Sequence, residues 1–182
     1  MEKMRNNLMQ AIKNEDLSLI DKILQEGADI NEQNDFGESV LSDAVEILAD
    51  SFNRYGVVKF LLEKGADPKI LDSERSGCLQ NAVLVMDTKM LELLLDSGAD
   101  PNAEVGFTDS ETLYDYAEED YRYRIYDFQL PEKPNEEDRA DEDSWLNYLQ
   151  RLAQKYDKRE PDHLFLLRTR GAKSAFELQN IR

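Results

Sequence analysis

The sequence predicts an all-α fold, a solenoid of about four helix pairs, because one short motif recurs at the end of similar amphipathic segments. The tripeptide Gly-Ala-Asp occurs three times, and the variant Gly-Ala-Lys occurs once nearer the end of the chain. Glycine closes a helix in the left-handed conformation at little cost, so four equivalent glycines predict four equivalent helix ends. The copies lie at residues 27–29, 65–67, 98–100 and 171–173.

Two helical segments are predicted in each repeat. The second helix comes directly before the glycine, at residues 19–24, 57–62, 90–95 and 163–168. The first is marked by a leucine or tyrosine followed three residues later by an alanine. Small alanines let paired helices approach closely, and each pair buries its apolar face only by stacking on the next pair. These markers are Leu8 and Ala11, Leu41 and Ala44, Leu79 and Ala82, and Tyr114 and Ala117.

The step from the alanine to the glycine separates the regular repeats from the last one. It is 16 residues in the first and third repeats, 21 in the second and 54 in the fourth. The last repeat therefore carries 38 additional residues, an insertion at about residues 118–160. Within it we expect a helix from Asp143 or Ser144, as the N-cap, to about Lys155.

Aromatic residues are concentrated in the insertion. The predicted helix has an apolar stripe of Trp145, Leu146, Leu149 and Leu152, so the insertion is expected to fold onto the end of the solenoid. Before it, the alternation of Tyr121, Tyr123 and Ile125 predicts an extended segment with one buried face.

These residues resemble ankyrin repeats, whose unit of about 33 residues has two antiparallel helices and a projecting finger. The Gly-Ala-Asp endings look like the helix-to-finger transition of that family, and residues 34–41 and 110–117 look like fingers that lead into a first helix. The resemblance covers about three quarters of the chain. It implies one ankyrin-repeat domain over residues 1–182, with short hairpin or loop fingers and repeats at roughly 5–33, 34–71, 72–104 and 105–178.

The charge of the chain argues against nucleic-acid binding. There are 39 acidic and 22 basic residues, which leave a net charge of −17, whereas nucleic-acid-binding proteins normally carry a basic surface. Residues 104–143 hold fifteen carboxylates against four basic side chains, and so carry −11 of that total. Such a charge cluster is either a solvated surface that keeps the protein soluble or a contact surface for a basic protein partner, whose association it would accelerate at low salt.

Catalytic, cofactor and metal sites are not indicated. The sequence has no Gly-rich phosphate loop, no zinc-ligand spacing and no nucleophile motif, so we expect neither enzyme activity nor a cofactor nor a metal. His163 is predicted to be a surface or helix-start residue, and Cys78 to be a small buried side chain. No apolar run is long enough to cross a membrane, and a lone cysteine suits a reducing compartment. We expect a cytoplasmic protein that is monomeric before it binds.

The resemblance implies a protein-binding module. Small size, acidity and the insertion together resemble the ankyrin-type immunity proteins of bacterial toxin systems, which neutralise a cognate toxin, so the expected partner is a basic toxin or effector enzyme. Two alternatives stay open, an adaptor or regulatory scaffold and a secreted effector that mimics host ankyrin proteins. Inhibition could plug an active site or cover a substrate surface.

The candidate contact residues form three groups. The finger contacts are Asp35, Phe36, Glu38, Asp72, Glu74, Arg75, Phe107 and Asp109. The aromatic anchors are Tyr121, Tyr123, Phe128 and Trp145. The acidic group is Glu136, Glu137, Asp138, Asp141, Glu142 and Asp143.

Overall fold

The computed structural model describes residues 2–103 and 111–179, and the regular structure in these ranges is helical apart from isolated β-bridge residues. The chain divides into two compact units, Met1–Glu104 and Val105–Arg182. The first unit holds α1 (Glu2–Lys13), α2 (Leu17–Gln25), α3 (Val40–Ile47), α4 (Arg54–Glu63), α5 (Cys78–Leu84) and α6 (Thr88–Asp96). The second holds α7 (Leu113–Tyr126), α8 (Glu142–Lys155), α9 (Asp162–Thr169) and α10 (Ala175–Gln179).

Helix pairs stack in the first unit as the repeats predict. Helix α1 packs on α2, α3 on α4 and α5 on α6, and the first helices of the pairs also contact one another in the order α1, α3, α5. The leucine and alanine markers of these three repeats are all buried, which confirms that they form the core. Gly27, Gly65 and Gly98 have φ between +96° and +99°, the left-handed backbone predicted for the helix ends.

Side chains fix the starts of the helices and join neighbouring repeats. Asp16 and Asp87 cap α2 and α6 by accepting a hydrogen bond from the backbone N–H three residues later. The buried Arg54 donates to Asp87 at 3.0 Å, so α4 is tied to the start of α6. Arg5 on α1 donates to the carboxylate of Asp43 on α3 at 2.5 Å. The two arginine bonds join one repeat to the next.

The second unit contains the helical insertion. Trp145 near the start of α8 donates to Glu118 on α7 at 2.7 Å, whereas Tyr156 at the end of α8 lines the same cleft as Tyr123. Helices α7 and α8 therefore run in the same direction. Helix α9 packs on α7 and runs the other way, because His163 at its start contacts Tyr121 and Arg168 near its end lies over the ring of Tyr114.

Three local predictions for this unit are wrong. The N-cap of α8 is Asp141, which accepts from the N–H of Ser144 at 2.7 Å, so neither Asp143 nor Ser144 is the cap. The segment around Tyr121 and Tyr123 belongs to α7 and is not extended. His163 does lie at the start of α9, but its placement at the surface is wrong: it is only 1% exposed, because its ring packs on Tyr121 at 5.7 Å between the ring centroids.

Candidate partner-binding surface

The first finger holds Phe36 at its tip in a fixed loop. Asn34 accepts hydrogen bonds through its side-chain oxygen from the N–H groups of Phe36 and Glu38, at 2.9 and 3.0 Å. Gly37 follows Phe36 with φ +85°, and an isolated bridge joins Gln33 to Ser39. Phe36 is nevertheless 71% exposed. The finger therefore presents a large apolar side chain that contributes little to the core.

The second finger is bound to the first. Asp72 accepts from the N–H groups of Glu74 and Ser76 at 2.8 and 2.9 Å, which forms the turn. Ser73 donates to the carbonyl of Phe36 through its N–H at 3.2 Å and through its hydroxyl at 3.0 Å. A Cβ at Gly37 would stand 3.0 Å from the nitrogen of Ser73, so glycine permits this close approach. These hydrogen bonds join the two fingers into one ridge.

The predicted finger residues thus have different roles. Asp35, Glu74 and Arg75 are exposed and available for contacts. Asp72 forms its turn, and the side chain of Glu38 accepts from Asn34, so both of them shape the ridge. Phe107 and Asp109 lie outside the described residues.

The four predicted aromatic anchors also differ in their exposure. Tyr121 is fully buried and donates to the carbonyl of Arg159 at 2.6 Å, so it belongs to the core and is unavailable as an anchor. Trp145 is half-buried against Glu118. Tyr123 and Phe128 are 56% and 50% exposed, and their ring centroids lie 5.4 Å apart. The structure brings these two predicted residues together at the end of α7.

We use the name acidic loop for residues 127–141, which connect α7 to α8. Asn135 and Asp138 each accept from the other's backbone N–H, at 2.8 and 2.9 Å, and close a turn. The bond from Asn135 and the ion pair with Arg151 lower the pKa of Asp138. Glu136 and Glu137 occupy the tip of this turn, where both are exposed and form no ion pair with any described residue.

The other predicted carboxylates mostly serve the fold. Asp138 is buried, Asp141 caps α8, and Asp143 pairs with Arg168 at 3.0 Å. Burial raises the pKa of Glu142; neighbouring carboxylates raise it further, and the Arg168 guanidinium opposes the rise. These four are therefore less suited to contact a partner than Glu136 and Glu137 are. Of the thirteen carboxylates at the described residues 111–143, five pair with a described cation: Glu118, Asp120, Glu132, Asp138 and Asp143.

Two clefts in the second unit include residues that the sequence did not single out. An open cleft of about 180 Å³ has Tyr123 and Phe128 on its walls, and a larger one of about 540 Å³ lies between Trp145 and Phe176. Three residues of the first cleft were not predicted as site residues. They share one face of α7, and this helical spacing could have identified them. These missed residues are Tyr116, Glu119 and Asp120.

No site for a metal or a membrane span occurs in the parts that the structure describes. In residues 2–103 and 111–179, no group of three or more histidine, cysteine, aspartate or glutamate side chains is placed to hold a metal ion. Within the same ranges, no helix combines the length and apolar character required to cross a bilayer.

The stacked helix pairs and the ridge of fingers define the class of protein. A family model of three ankyrin repeats matches residues 8–105, more than half of the chain, and the chain belongs to the ankyrin-repeat family. It is an all-α repeat solenoid and a protein-binding module, of a family that is typically non-enzymatic.

Two curated relatives are similar over part of the chain. One is the ankyrin repeat domain-containing protein SAT10 of Stachybotrys chartarum, with 31% identity over 103 residues, which are 57% of this chain and 5% of that protein. The other is the putative ankyrin repeat protein L92 of Acanthamoeba polyphaga mimivirus, with 40% identity over 74 residues, 41% of this chain and 17% of that protein. The chain thus spans only a small share of either relative's length.

Proposed function

We propose that this chain is an immunity protein that binds a basic toxin or effector enzyme and neutralises it. The observation that carries the proposal is the hydrogen-bonded turn in the acidic loop. Its core, Asn135 and Asp138, is hydrogen-bonded on both sides and anchored to Arg151 on α8. This framework holds Glu136 and Glu137 outward, where a basic surface can reach them.

The fixed conformation of the loop favours binding over mere solubility. A mobile acidic tail would keep the protein soluble equally well, but it would lose conformational entropy when it bound a partner. Lys155 pairs with Glu132 and Tyr156 donates to the same carboxylate, so the first half of the loop is anchored as well. The two tip carboxylates therefore stand on a fixed backbone turn and are open to a cationic surface.

Growth protection is the decisive test. The tagged protein is used to capture partners from a lysate of its source cells at low and moderate salt, and each basic enzyme that is retained is then expressed with and without this chain. We expect one of them to arrest growth alone and to be harmless in the presence of the chain. If no captured protein is toxic, or if the chain gives no protection, the proposal is wrong.

Charge variants test the role of the acidic loop in that complex. The double substitution E136Q and E137Q removes two unpaired charges, and we expect it to slow association about 3-fold to 10-fold at low salt and much less at 0.5 M salt. The matched control, E46Q and D50N, removes two exposed charges from the first unit. Equal rates for the two double variants would remove the acidic loop from the proposal.

An adaptor without inhibitory activity is the second candidate. It is favoured by the presence of exposed aromatic side chains in both units, such as Phe36 in the first and Phe128 in the second, since a scaffold needs two contact surfaces. Simultaneous capture of two cellular proteins, one lost with F36A and the other with F128L, would favour this function. The immunity proposal also includes a cytoplasmic location and a monomeric state before binding, which fractionation and sedimentation measure.

A further inference from the structure

We propose that a cleft beside the end of α7 binds the cationic side chain of an arginine or lysine of a partner protein. This aromatic cleft has a volume of about 180 Å³, and its walls are three aromatic rings and two carboxylates. The inference rests on the proposed function only for the identity of the partner. Its residues are Tyr116, Glu119, Asp120, Tyr123 and Phe128.

Four of these residues form one stripe along α7. Tyr116, Glu119, Asp120 and Tyr123 stand at the spacing i, i+3, i+4 and i+7, which places their side chains on one face of the helix. An aromatic stripe at this spacing ordinarily faces the core of a protein. Here Tyr123 is 56% exposed and Glu119 is exposed. The stripe therefore combines aromatic rings with accessible carboxylates.

The backbone turns sharply to bring Phe128 over this stripe. Asp127 and Phe128 have φ of +48° and +57°, in the left-handed region that is costly for residues with a side chain, and most of all for bulky ones. The N–H of Asp127 donates to the carbonyl of Tyr123 at 2.8 Å and holds the turn. As a result the Phe128 ring lies 5.4 Å from the Tyr123 ring, tilted by 39°.

Positive φ by itself does not mark a site, because the exposed Arg75 and Asp157 share it, but Phe128 differs from them in carrying a large ring over the cleft. Met86 in the first unit has a similar φ of +50°, but its side chain is buried, so packing offsets the cost. Phe128 is half-exposed and gains less from packing. Strained backbone that is kept without a matching gain in packing is typical of binding sites.

The electrostatics of the cleft fit a cation. Faces of aromatic rings attract cations within about 6 Å of the centroid, and the guanidinium of Arg122 already lies 5.7 Å from the centre of Phe128. Asp120 is paired with Arg124 at 2.8 Å, whereas Glu119 forms no ion pair with a described residue. A cation entering the cleft would thus contact ring faces and one carboxylate that is still unpaired.

A peptide titration tests the cleft without any toxin. The full chain, with isotope-labelled tyrosine and phenylalanine, is titrated with the neutral-ended peptide Gly-Arg-Gly, with Gly-Lys-Gly, and with the same peptide carrying citrulline, an uncharged isostere of arginine. We expect saturable shifts of the Tyr123 and Phe128 resonances with arginine or lysine, and binding at least about 10-fold weaker with citrulline. The two charged peptides show which cation is preferred.

Matched variants locate the binding. Y123L and F128L should each weaken peptide binding about 3-fold to 30-fold, the range that corresponds to one cation–π contact. F176L removes an exposed aromatic residue of the same unit that lies outside this cleft, and it should change binding less than about 2-fold. E119Q should weaken binding, whereas E137Q should not.

Three results would overturn the inference: equal binding of the citrulline peptide, equal effects of Y123L and F176L, or no saturable shift at either ring. The growth assay is independent of these results. Loss of peptide binding with intact protection contradicts the cleft alone, and peptide binding without protection contradicts the immunity function alone.

Discussion

The two compact units differ in net charge. Residues 1–104 carry a net charge of −11 and residues 105–182 a net charge of −6, so the more acidic unit is the regular one and not the one with the insertion. In the second unit, basic residues late in the chain pair with carboxylates of the insertion, as Arg151 does with Asp138 and Arg168 with Asp143. A dense acidic sequence is therefore neutralised only in part by the cations of its own unit, and carboxylates such as Glu136 and Glu137 stay exposed outside these ion pairs.

The units also differ in how they use aromatic side chains. In the first unit, small and aliphatic side chains fill the stacked helix pairs, and Phe36 stands on a finger. In the second, Tyr114 and Tyr121 are among the largest fully buried side chains, and burial raises the pKa of both hydroxyls. The insertion adds a 14-residue helix, and bulky rings fill the space between α7 and α8, of 14 residues each, and the 8-residue α9.

The largest expected effect comes from breaking the core of the first unit. Leu41 is 1% exposed on α3, so L41A should lower the free energy of unfolding by about 2–5 kcal/mol through lost burial and a cavity. Circular dichroism follows the helices of the whole chain, whereas fluorescence of Trp145, the single tryptophan, reports on the second unit. A loss below about 1 kcal/mol would contradict the assigned core.

The same experiment tests the prediction of one domain over residues 1–182. If both probes shift together, the chain unfolds as one cooperative domain. If only circular dichroism shifts, the two units unfold separately, and the single-domain prediction is wrong. L149A, at a fully buried position of α8, is the matched variant in the second unit.

Acid should destabilise the second unit through His163. Burial, and to a lesser extent the charge of Arg159, lower the pKa of His163 to about 4 from its ordinary value near 6.5. The unfolded chain then binds a proton below about pH 6.5 that the folded chain does not bind until about pH 4, so stability falls as pH drops through this window. We expect His163 to account for about 2 kcal/mol of the loss between pH 7 and pH 5.

The variant H163F isolates this effect. A phenyl ring keeps the contact with Tyr121 but does not titrate, although it loses the hydrogen bond to Ala117. Urea denaturation followed by Trp145 fluorescence at pH 7 and pH 5 should show a smaller pH-dependent loss in H163F than in the natural chain. The same loss in both chains would mean that carboxylates alone determine the acid sensitivity.

Repetition explains why the fold of the first unit was predictable. Three copies of one pattern fix the register, since a leucine, an alanine and a glycine recur at related positions and each is explained by the same packing. From the fourth copy, the existence and approximate extent of α8 could be predicted, but its N-cap residue could not. Asp141, Asp143 and Ser144 are all good N-cap residues, and only the turn closed by Asn135 and Asp138 selects Asp141.

The candidate site was less predictable, because exposure depends on long-range packing. Tyr121 and Tyr123 are two residues apart on one helix, yet α9 buries the first and leaves the second exposed. Period-two alternation was the wrong pattern to apply there, since the helical spacing from Tyr116 to Tyr123 was present in the same segment. The left-handed turn at Phe128 has no local sequence signal, because glycine and asparagine are the usual residues in that conformation.

The smallest expected effect is the most informative about the strained turn. Replacing Phe128 by glycine removes a backbone strain of about 1–2 kcal/mol, because glycine adopts the left-handed conformation freely. Loss of the half-buried ring costs about as much. F128G should therefore change the free energy of unfolding by less than about 1 kcal/mol. In M86G the relief is similar, but loss of a buried side chain should lower stability by about 2–4 kcal/mol. Trp145 fluorescence measures the first variant and circular dichroism the second. A loss at F128G as large as that at M86G would mean that the ring is retained for packing, and the two turns would then share one explanation.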